Sequence, residues 1–329
     1  MFDMKLLKEH TYDIPVICVG NITVGGTGKT PHTEMLLRLL LPTKRVAVLS
    51  RGYKRKSHGF KLATPESSMR EIGDEPWQMK HKFPRAIVAV DANRRHGIER
   101  LMKDEQTRGV EVIVLDDAFQ HRYVKAGLNI MLTDYHRLIT DDALLPAGRL
   151  REQLTAKNRA HVVIVTKCPA NMTPMEFRVI QQALDLKPFQ HLFFTTFHYG
   201  HPYRLFNETP GQAESITPET HVILLTGIAS PQQMQMDLRK MTRHITPITF
   251  ADHHAFSPSD ISRLEEAFTA LQGSKRLIVT TEKDAARLRL IKNLSPILRR
   301  HIVVLPIEVQ FLRGEEDAFR QVIAESVGL

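Results

Sequence analysis

The most constraining stretch is Val19-Gly-Asn-Ile-Thr-Val-Gly-Gly-Thr-Gly-Lys-Thr30, set between an apolar run and a helical pattern. The run 14–19 predicts a buried strand, and the segment from about 29 to 41 predicts a helix. Gly25, Gly26 and Gly28 supply backbone angles closed to other residues. They let successive N–H groups point at one anion. Thr23, Val24 and Thr27 complete the loop. Lys29 brings a positive charge to the β- and γ-phosphates of a nucleotide. Thr30 offers a hydroxyl to Mg²⁺ at the helix N-terminus, where the dipole also favours phosphate. The usual spacing is G-x-x-x-x-G-K-[ST], and here Thr23 stands in place of its first glycine. The position after a buried strand weighs against a glycine turn that only packs.

Short β-branched runs alternate with longer amphipathic segments along the rest of the chain. Strands are expected at 45–49, 86–90, 110–115, 128–132 and 161–165. Near-continuous apolar strands are those buried on both faces of a parallel sheet. The texture changes after about residue 185. The aromatic stretch 193–197 and the polar residues through Glu208 predict an extended linker or hairpin. A second strand series follows at 221–225, 245–250, 276–280 and 302–305. The expected fold is α/β: a P-loop NTPase-type, mostly parallel sheet flanked by helices, with a second, smaller α/β lobe joined by a linker. The expected boundaries are a nucleotide-binding core at 1–195, a linker or hairpin at 196–214, and the smaller lobe at 215–329. Two such lobes imply a cleft able to close on a substrate.

Composition narrows the setting. The 329 residues are 42% hydrophobic and 25% charged, enough to bury a sizeable core without staples. Two cysteines, Cys18 and Cys168, exclude a disulfide framework. No apolar run is long enough to span a membrane. The segment MFDMKLLKEHTYD lacks the apolar stretch of a signal peptide. A cytoplasmic or cytoplasm-facing chain is therefore expected. Net charge is +9, which suits nucleic acid, an anionic membrane surface or phosphorylated substrates. Nucleic acid would call for a clustered basic and aromatic strip. Aromatics are only 7% and the basic residues are spread along the chain, so no nucleic-acid partner is expected.

Further motifs carry charge where strands end. The run 110–115 leads into Asp116-Asp117-Ala-Phe-Gln-His121. A carboxylate at the end of a buried strand is where nucleotide-binding folds hold Mg²⁺. Adjacent carboxylates repel unless a cation neutralises them. Ser50-Arg-Gly-Tyr-Lys-Arg55 is rich in anion donors. Gly73-Asp-Glu-Pro76 opens a helical segment, where Asp74 and Glu75 also suit a helix start. Leu145-Pro-Ala-Gly-Arg-Leu-Arg-Glu152 is a turn followed by charges. In the second lobe, Asp252, His253 and His254 sit on a loop before a helix capped by Ser257, with Asp260 as the third-position acid. Thr281 and Asp284 form a similar cap. The strand ending Thr166-Lys-Cys168 lacks the Asp that would read guanine, which argues against a GTPase switch.

In this order the motifs resemble the tetraacyldisaccharide 4′-kinase family across nearly the whole chain. They are Gly20-Asn21 with Thr23 to Pro31, Ser50-Arg-Gly-Tyr53, Gly73-Asp-Glu-Pro76, Asp116-Asp-Ala-Phe-Gln-His121, Leu145-Pro-Ala-Gly148, Leu150-Arg-Glu152, Ala251-Asp-His253 and Thr281-Glu-Lys-Asp284. Ala118 replaces the family's usual glycine, and Arg149 its usual proline. Family members usually carry an apolar or amphipathic anchoring helix before the first strand, and this chain has about a dozen residues there. The resemblance implies ATP-dependent phosphorylation of the 4′-hydroxyl of a lipid A disaccharide 1-phosphate. It implies ATP and Mg²⁺ as cofactors and a peripheral place on the anionic cytoplasmic face of the inner membrane. No obligate protein partner is implied. Residues 23–30 would hold the triphosphate. Thr30, Asp116, Asp117 and Glu152 are metal candidates, and either aspartate could be the direct ligand. Asp74 is implied as the catalytic acid, paired with His253, and Lys29 as a catalytic cation. Arg51, Gln120, His121 and Arg151 are candidates for holding the substrate.

Overall fold

The computed structural model describes residues 8–206, 214–228, 231–252 and 254–328. Two compact units emerge. One runs to His198 and takes in the chain again from Val309, and the other is Tyr199–Glu308.

The first unit is built on a nine-stranded sheet. Its strands are β1 (Val16–Gly20), β2 (Val46–Ser50), β3 (Lys61–Leu62), β4 (Ile87–Val90), β5 (Val112–Asp116), β6 (Leu128–Asp134), β7 (Val162–Thr166) and β8 (His191–Tyr199). A late strand, Ile307–Phe311, completes it beside β8. The order from that strand is β8-β7-β6-β1-β5-β2-β4-β3. The pairs from β8 to β4 are parallel, and β3 is antiparallel to β4.

Side-chain alternation explains why both faces are covered. Ile17 and Val19 of β1 pack with Leu36, Leu37 and Leu40 of α1 (Lys29–Leu40). Val16 and Cys18 face the other way and pack with Ile98 and Leu101. Those two belong to Arg94–Lys103, the fourth helix after the short α2 (Met69–Ile72) and α3 (Asp74–Lys82). A strand with no solvent face must be apolar throughout, as the sequence pattern of β1, β2, β5 and β7 anticipates.

The second unit carries a five-stranded sheet. Its strands are β9 (Tyr203–Arg204), β10 (His221–Thr226), β11 (His244–Thr249), β12 (Arg276–Thr280) and β13 (Ile302–Val304), in the order β11-β10-β12-β13-β9. Ser257 caps Pro258–Ala270 by accepting from the Asp260 N–H, with the Asp260 carboxylate returning to the cap backbone. Thr281 caps Glu282–Leu288 in the same sense.

Both expected boundaries shift. Residues 196–199 are part of β8, whose Phe193 and Phe194 are buried in the first unit, so the strand continues into the segment expected as linker. Residues 207–213 of that segment lie outside the described residues. The smaller unit also ends at Glu308 and not at the C-terminus. The helix Glu316–Val327 presents Phe319, Ile323 and Val327 at four-residue spacing, and this apolar stripe packs with Phe193 and Phe311.

Candidate functional site

Strand register places the site. Val19 of β1 is paired with Asp116 of β5, so the glycine-rich loop and the acidic pair leave adjacent strands at the same level. The approach is close at Gly20, where a Cβ would lie 2.7 Å from Phe119 Cβ and 2.9 Å from its backbone nitrogen. Gly25 has φ 112° and Gly28 φ 87°, so the loop uses the left-handed freedom expected of its glycines. Gly28 caps α1, and Lys29 and Thr30 are that helix's first residues.

The loop is braced from beneath. The Asn21 side chain is fully buried and donates to the hydroxyls of Thr27 (2.7 Å) and Thr23 (3.3 Å). Thr166 of β7 donates to the Thr27 carbonyl at 2.9 Å. The strand that lacks a guanine-reading Asp thus serves to hold the phosphate loop. His32 ties the loop's exit to β8, with Nδ1 donating to the Gly28 carbonyl (2.8 Å) and Nε2 accepting from Thr195 (3.1 Å). Burial holds this imidazole neutral, its pKa lowered to about 4.

The two aspartates differ. Asp116 is buried and accepts from Thr33 on Oδ1 and from Ser50 on Oδ2, both at 3.2 Å. Burial, followed by the Glu75 and Asp117 carboxylates, raises its pKa to about 7. Asp117 is half-buried, at φ 47°, with Oδ2 3.7 Å from Lys29 Nζ and Oδ1 3.2 Å from Arg151. Arg94 is buried and donates to the carbonyls of both Asp116 and Asp117 at 3.4 Å. This arginine escapes the sequence reading because nothing in the local pattern separates it from an ordinary helix-start cation.

The remaining motifs converge on the same place. Gly73 and Gly52 pack against each other. A Cβ on Gly73 would lie 3.2 Å from Gly52, and one on Gly52 would lie 2.9 Å from the Ile72 carbonyl. This joins the Ser50–Tyr53 motif to the start of α3, whose first residues are Asp74 and Glu75. Glu75 acts on Asp116, so α3 points its acidic end toward the loop. Pro76 takes the third helical position. Arg51 is exposed, and with Arg94 it lowers the pKa of the half-buried His121. Burial is the larger cause, and the value falls to about 4.

Three candidates for substrate or metal are already engaged. Gln120 donates to the Asn21 carbonyl (2.7 Å) and to Glu152 (2.9 Å). Arg151 donates to the Asn21 carbonyl (3.0 Å), its side-chain oxygen and Asp117. Glu152 accepts from Gln120 on one oxygen and from Arg159 on the other at 2.8 Å. Both Glu152 oxygens thus accept hydrogen bonds, as both Asp116 oxygens do. Val24 also accepts structure from this segment, its N–H donating to the Arg149 carbonyl at 2.8 Å.

His253 lies outside the described residues. Its neighbours belong to the second unit: Asp252 pairs with Lys283 at 3.2 Å, and His254 with Asp260 at 2.9 Å. The expected Thr281–Asp284 cap extends into a buried knot. Asp284 accepts from the Gly227 N–H (2.9 Å), from Thr281 (2.8 Å) and from Arg287 (2.9 Å).

The residues present suit Mg²⁺. Asp116 and Asp117, reinforced by Glu75, concentrate negative charge beside the loop. Among the described residues no three His, Cys, Asp or Glu side chains form a protein metal cage. Mg²⁺ in phosphoryl-transfer sites takes only one or two carboxylates, with water and phosphate oxygens supplying the rest. No helix among the described residues is long and apolar enough to cross a membrane.

Comparison with known proteins places the whole chain. The family model described as tetraacyldisaccharide-1-P 4′-kinase matches residues 1–328. The tetraacyldisaccharide 4′-kinase of Phocaeicola vulgatus is 53% identical, over 99% of this chain and 90% of its own length. That of Flavobacterium johnsoniae is 44% identical, over 96% of this chain and 88% of its own. Among solved structures, LpxK from Aquifex aeolicus, in complex with ATP, superposes with a TM-score of 0.71 at 29% identity, covering 99% of this chain and 92% of that one. The chain belongs to the tetraacyldisaccharide 4′-kinase family.

Proposed function

We propose that the chain is an ATP-dependent kinase that moves the γ-phosphate to the 4′-hydroxyl of a tetraacyldisaccharide 1-phosphate, a step of lipid A biosynthesis. One observation carries the reading furthest. The loop of Gly25 to Thr30 and the Asp116-Asp117 pair leave neighbouring strands in register, with Lys29 3.7 Å from Asp117. Phosphoryl transfer gains mostly from positioning and charge neutralisation, and these are the groups that provide both.

The loop N–H groups and Lys29 bind the β- and γ-phosphates. Thr30 with Asp116 or Asp117 would hold Mg²⁺, which when bound neutralises charge on the phosphate oxygens. Arg94, Ser50 and Thr33 fix the two aspartates. Asp74 orients the acceptor hydroxyl and receives its proton as the oxygen–phosphorus bond forms. The bond from the γ-phosphorus to the bridging oxygen breaks, and ADP leaves with its electron pair. Arg51 offers positive charge to a phosphorylated acceptor, and the neutral His121 a hydrogen bond. The acceptor is a lipid, and with the chain's net charge of +9 this supports a peripheral place on an anionic, cytoplasm-facing membrane surface.

The test is the position of the new phosphate. With Mg-ATP and the acyldisaccharide 1-phosphate, phosphorus–proton NMR should couple the new phosphorus to H4′, with one ADP formed per product. ATP consumed while the lipid stays a monophosphate would leave the family and fold but remove this acceptor.

A further inference from the structure

The segment 143–147, Ala-Leu-Leu-Pro-Ala, is exposed at every residue, with Leu144 and Leu145 at 43% and 52%. Consecutive exposed apolar residues are avoided in soluble domains unless they serve a function. This run is not a loose loop. The Asp142 carboxylate accepts from the N–H groups of Ala143 and Arg149, both at 2.9 Å, and from Arg137 at 2.9 Å. Leu145 and Leu150 exchange a backbone bond of 2.9 Å, as do Leu150 and Ala143. Gly148 closes the turn, since a Cβ there would lie 2.2 Å from the Ala143 carbonyl. The backbone of the tip is thus held by hydrogen bonds, and its apolar side chains have no core to cover them.

Its base is the phosphate loop. The Val24 N–H donates to Arg149 (2.8 Å), the Arg151 N–H donates to Ile22 (2.7 Å), and Val24 is itself 39% exposed. Arg137 is matched by Asp142, and the exposed Arg149 places positive charge beside the apolar tip. Apolar side chains beside an arginine match the boundary between acyl chains and anionic headgroups. A second set of exposed apolar residues, Met175, Val179 and Phe189, mixes Glu176 and Asp185 with Arg178 and Lys187 and, among the described residues, has no backbone bond to the loop.

We propose that the tip 143–147 inserts into the acyl region of an anionic bilayer and sets the phosphate loop at the height of the lipid headgroups. The proposal rests on the membrane-surface reading above and names the element responsible. Insertion of Leu144 and Leu145 removes apolar surface from water, while Arg149 meets the lipid phosphates.

The test uses the full chain with a single environment-sensitive nitrobenzoxadiazole label. Cys18 and Cys168 are buried, so labelling at an introduced surface cysteine is selective. Leu145→Cys and Phe189→Cys proteins are labelled and mixed with phosphatidylglycerol–phosphatidylcholine vesicles, and flotation measures binding in parallel. The label at 145 should shift to the blue and escape an aqueous quencher, while that at 189 should not. Flotation with a silent label at 145, or a shift at 189 instead, overturns the tip and leaves the membrane reading intact. No flotation of the unlabelled chain overturns both. In a second variant, Leu144→Ser with Leu145→Ser, the KM for vesicle-borne acceptor should rise roughly tenfold. Turnover of a short-chain, monomeric acceptor should be unchanged. Equal losses on both acceptors would make the two leucines structural and refute insertion.

Discussion

Lys29 Nζ lies 3.7 Å from Oδ2 of Asp117, a residue held in the left-handed region at φ 47°. One cation of the phosphate loop is thus held by one of the two carboxylates at the end of β5. A triphosphate in the loop competes for the same cation. Lys29→Ala should therefore lower kcat by about 10²–10³ or more while the fold persists. Steady-state kinetics with circular dichroism checks this. A kcat within a fewfold of wild type would remove Lys29 from the reaction.

Asp117 separates chemistry from backbone. Asparagine tolerates a positive φ far better than alanine, because its short polar side chain supports that conformation. Asp117→Asn should stay near wild-type stability yet lose activity. Asp117→Ala should lose activity and about 1 kcal/mol in addition. Urea unfolding of both variants tests the difference, and equal stabilities would mean the φ at 117 carries no strain.

His32 predicts a pH signature. Its folded pKa is lowered to about 4 by burial, against about 6.5 when unfolded. Between those values the unfolded chain takes up a proton that the folded chain refuses. Stability is therefore lost as pH falls from 6.5 toward 4, by up to about 3 kcal/mol from this residue. His32→Gln should flatten the stability profile across that window. An unchanged slope would show that His32 is not held neutral.

Gly20→Ala tests the register of the site. Its Cβ would fall 2.7 Å from Phe119 Cβ, with backbone also in the way. The expected cost is about 1–3 kcal/mol, because β1 and the segment after Asp117 must part. ATP affinity should fall with it. A fully stable variant would mean that the strands separate without effort.

Most of the first sheet was legible because its strands are buried on both faces, which forces the unbroken apolar runs at β1, β2, β5 and β7. The loop was legible because glycine and lysine spacing carries its own chemistry. What the sequence concealed depends on distance along the chain. Arg94 supports the aspartates more than twenty positions away, and His32 reaches Thr195 across the whole first unit. Glu152 is bonded to Gln120 and Arg159, contacts that its motif alone does not specify. The boundary near 196 was missed because an aromatic, threonine-rich strand resembles an exposed hairpin until its two phenylalanines are seen in a core. Residues 309–329 rejoin the first unit through an apolar stripe whose destination no local pattern specifies.

The central claim is that the loop, the aspartate pair and Asp74 form one phosphoryl-transfer centre. Single-turnover transfer of labelled γ-phosphate from Mg-ATP to the acyldisaccharide 1-phosphate tests it most directly, comparing wild type, Lys29→Ala and Asp74→Ala. The account predicts product with wild type, transfer slowed by ~10² or more in both variants, and ATP binding kept by Asp74→Ala. Transfer at the wild-type rate by Asp74→Ala, or by Lys29→Ala, would contradict it.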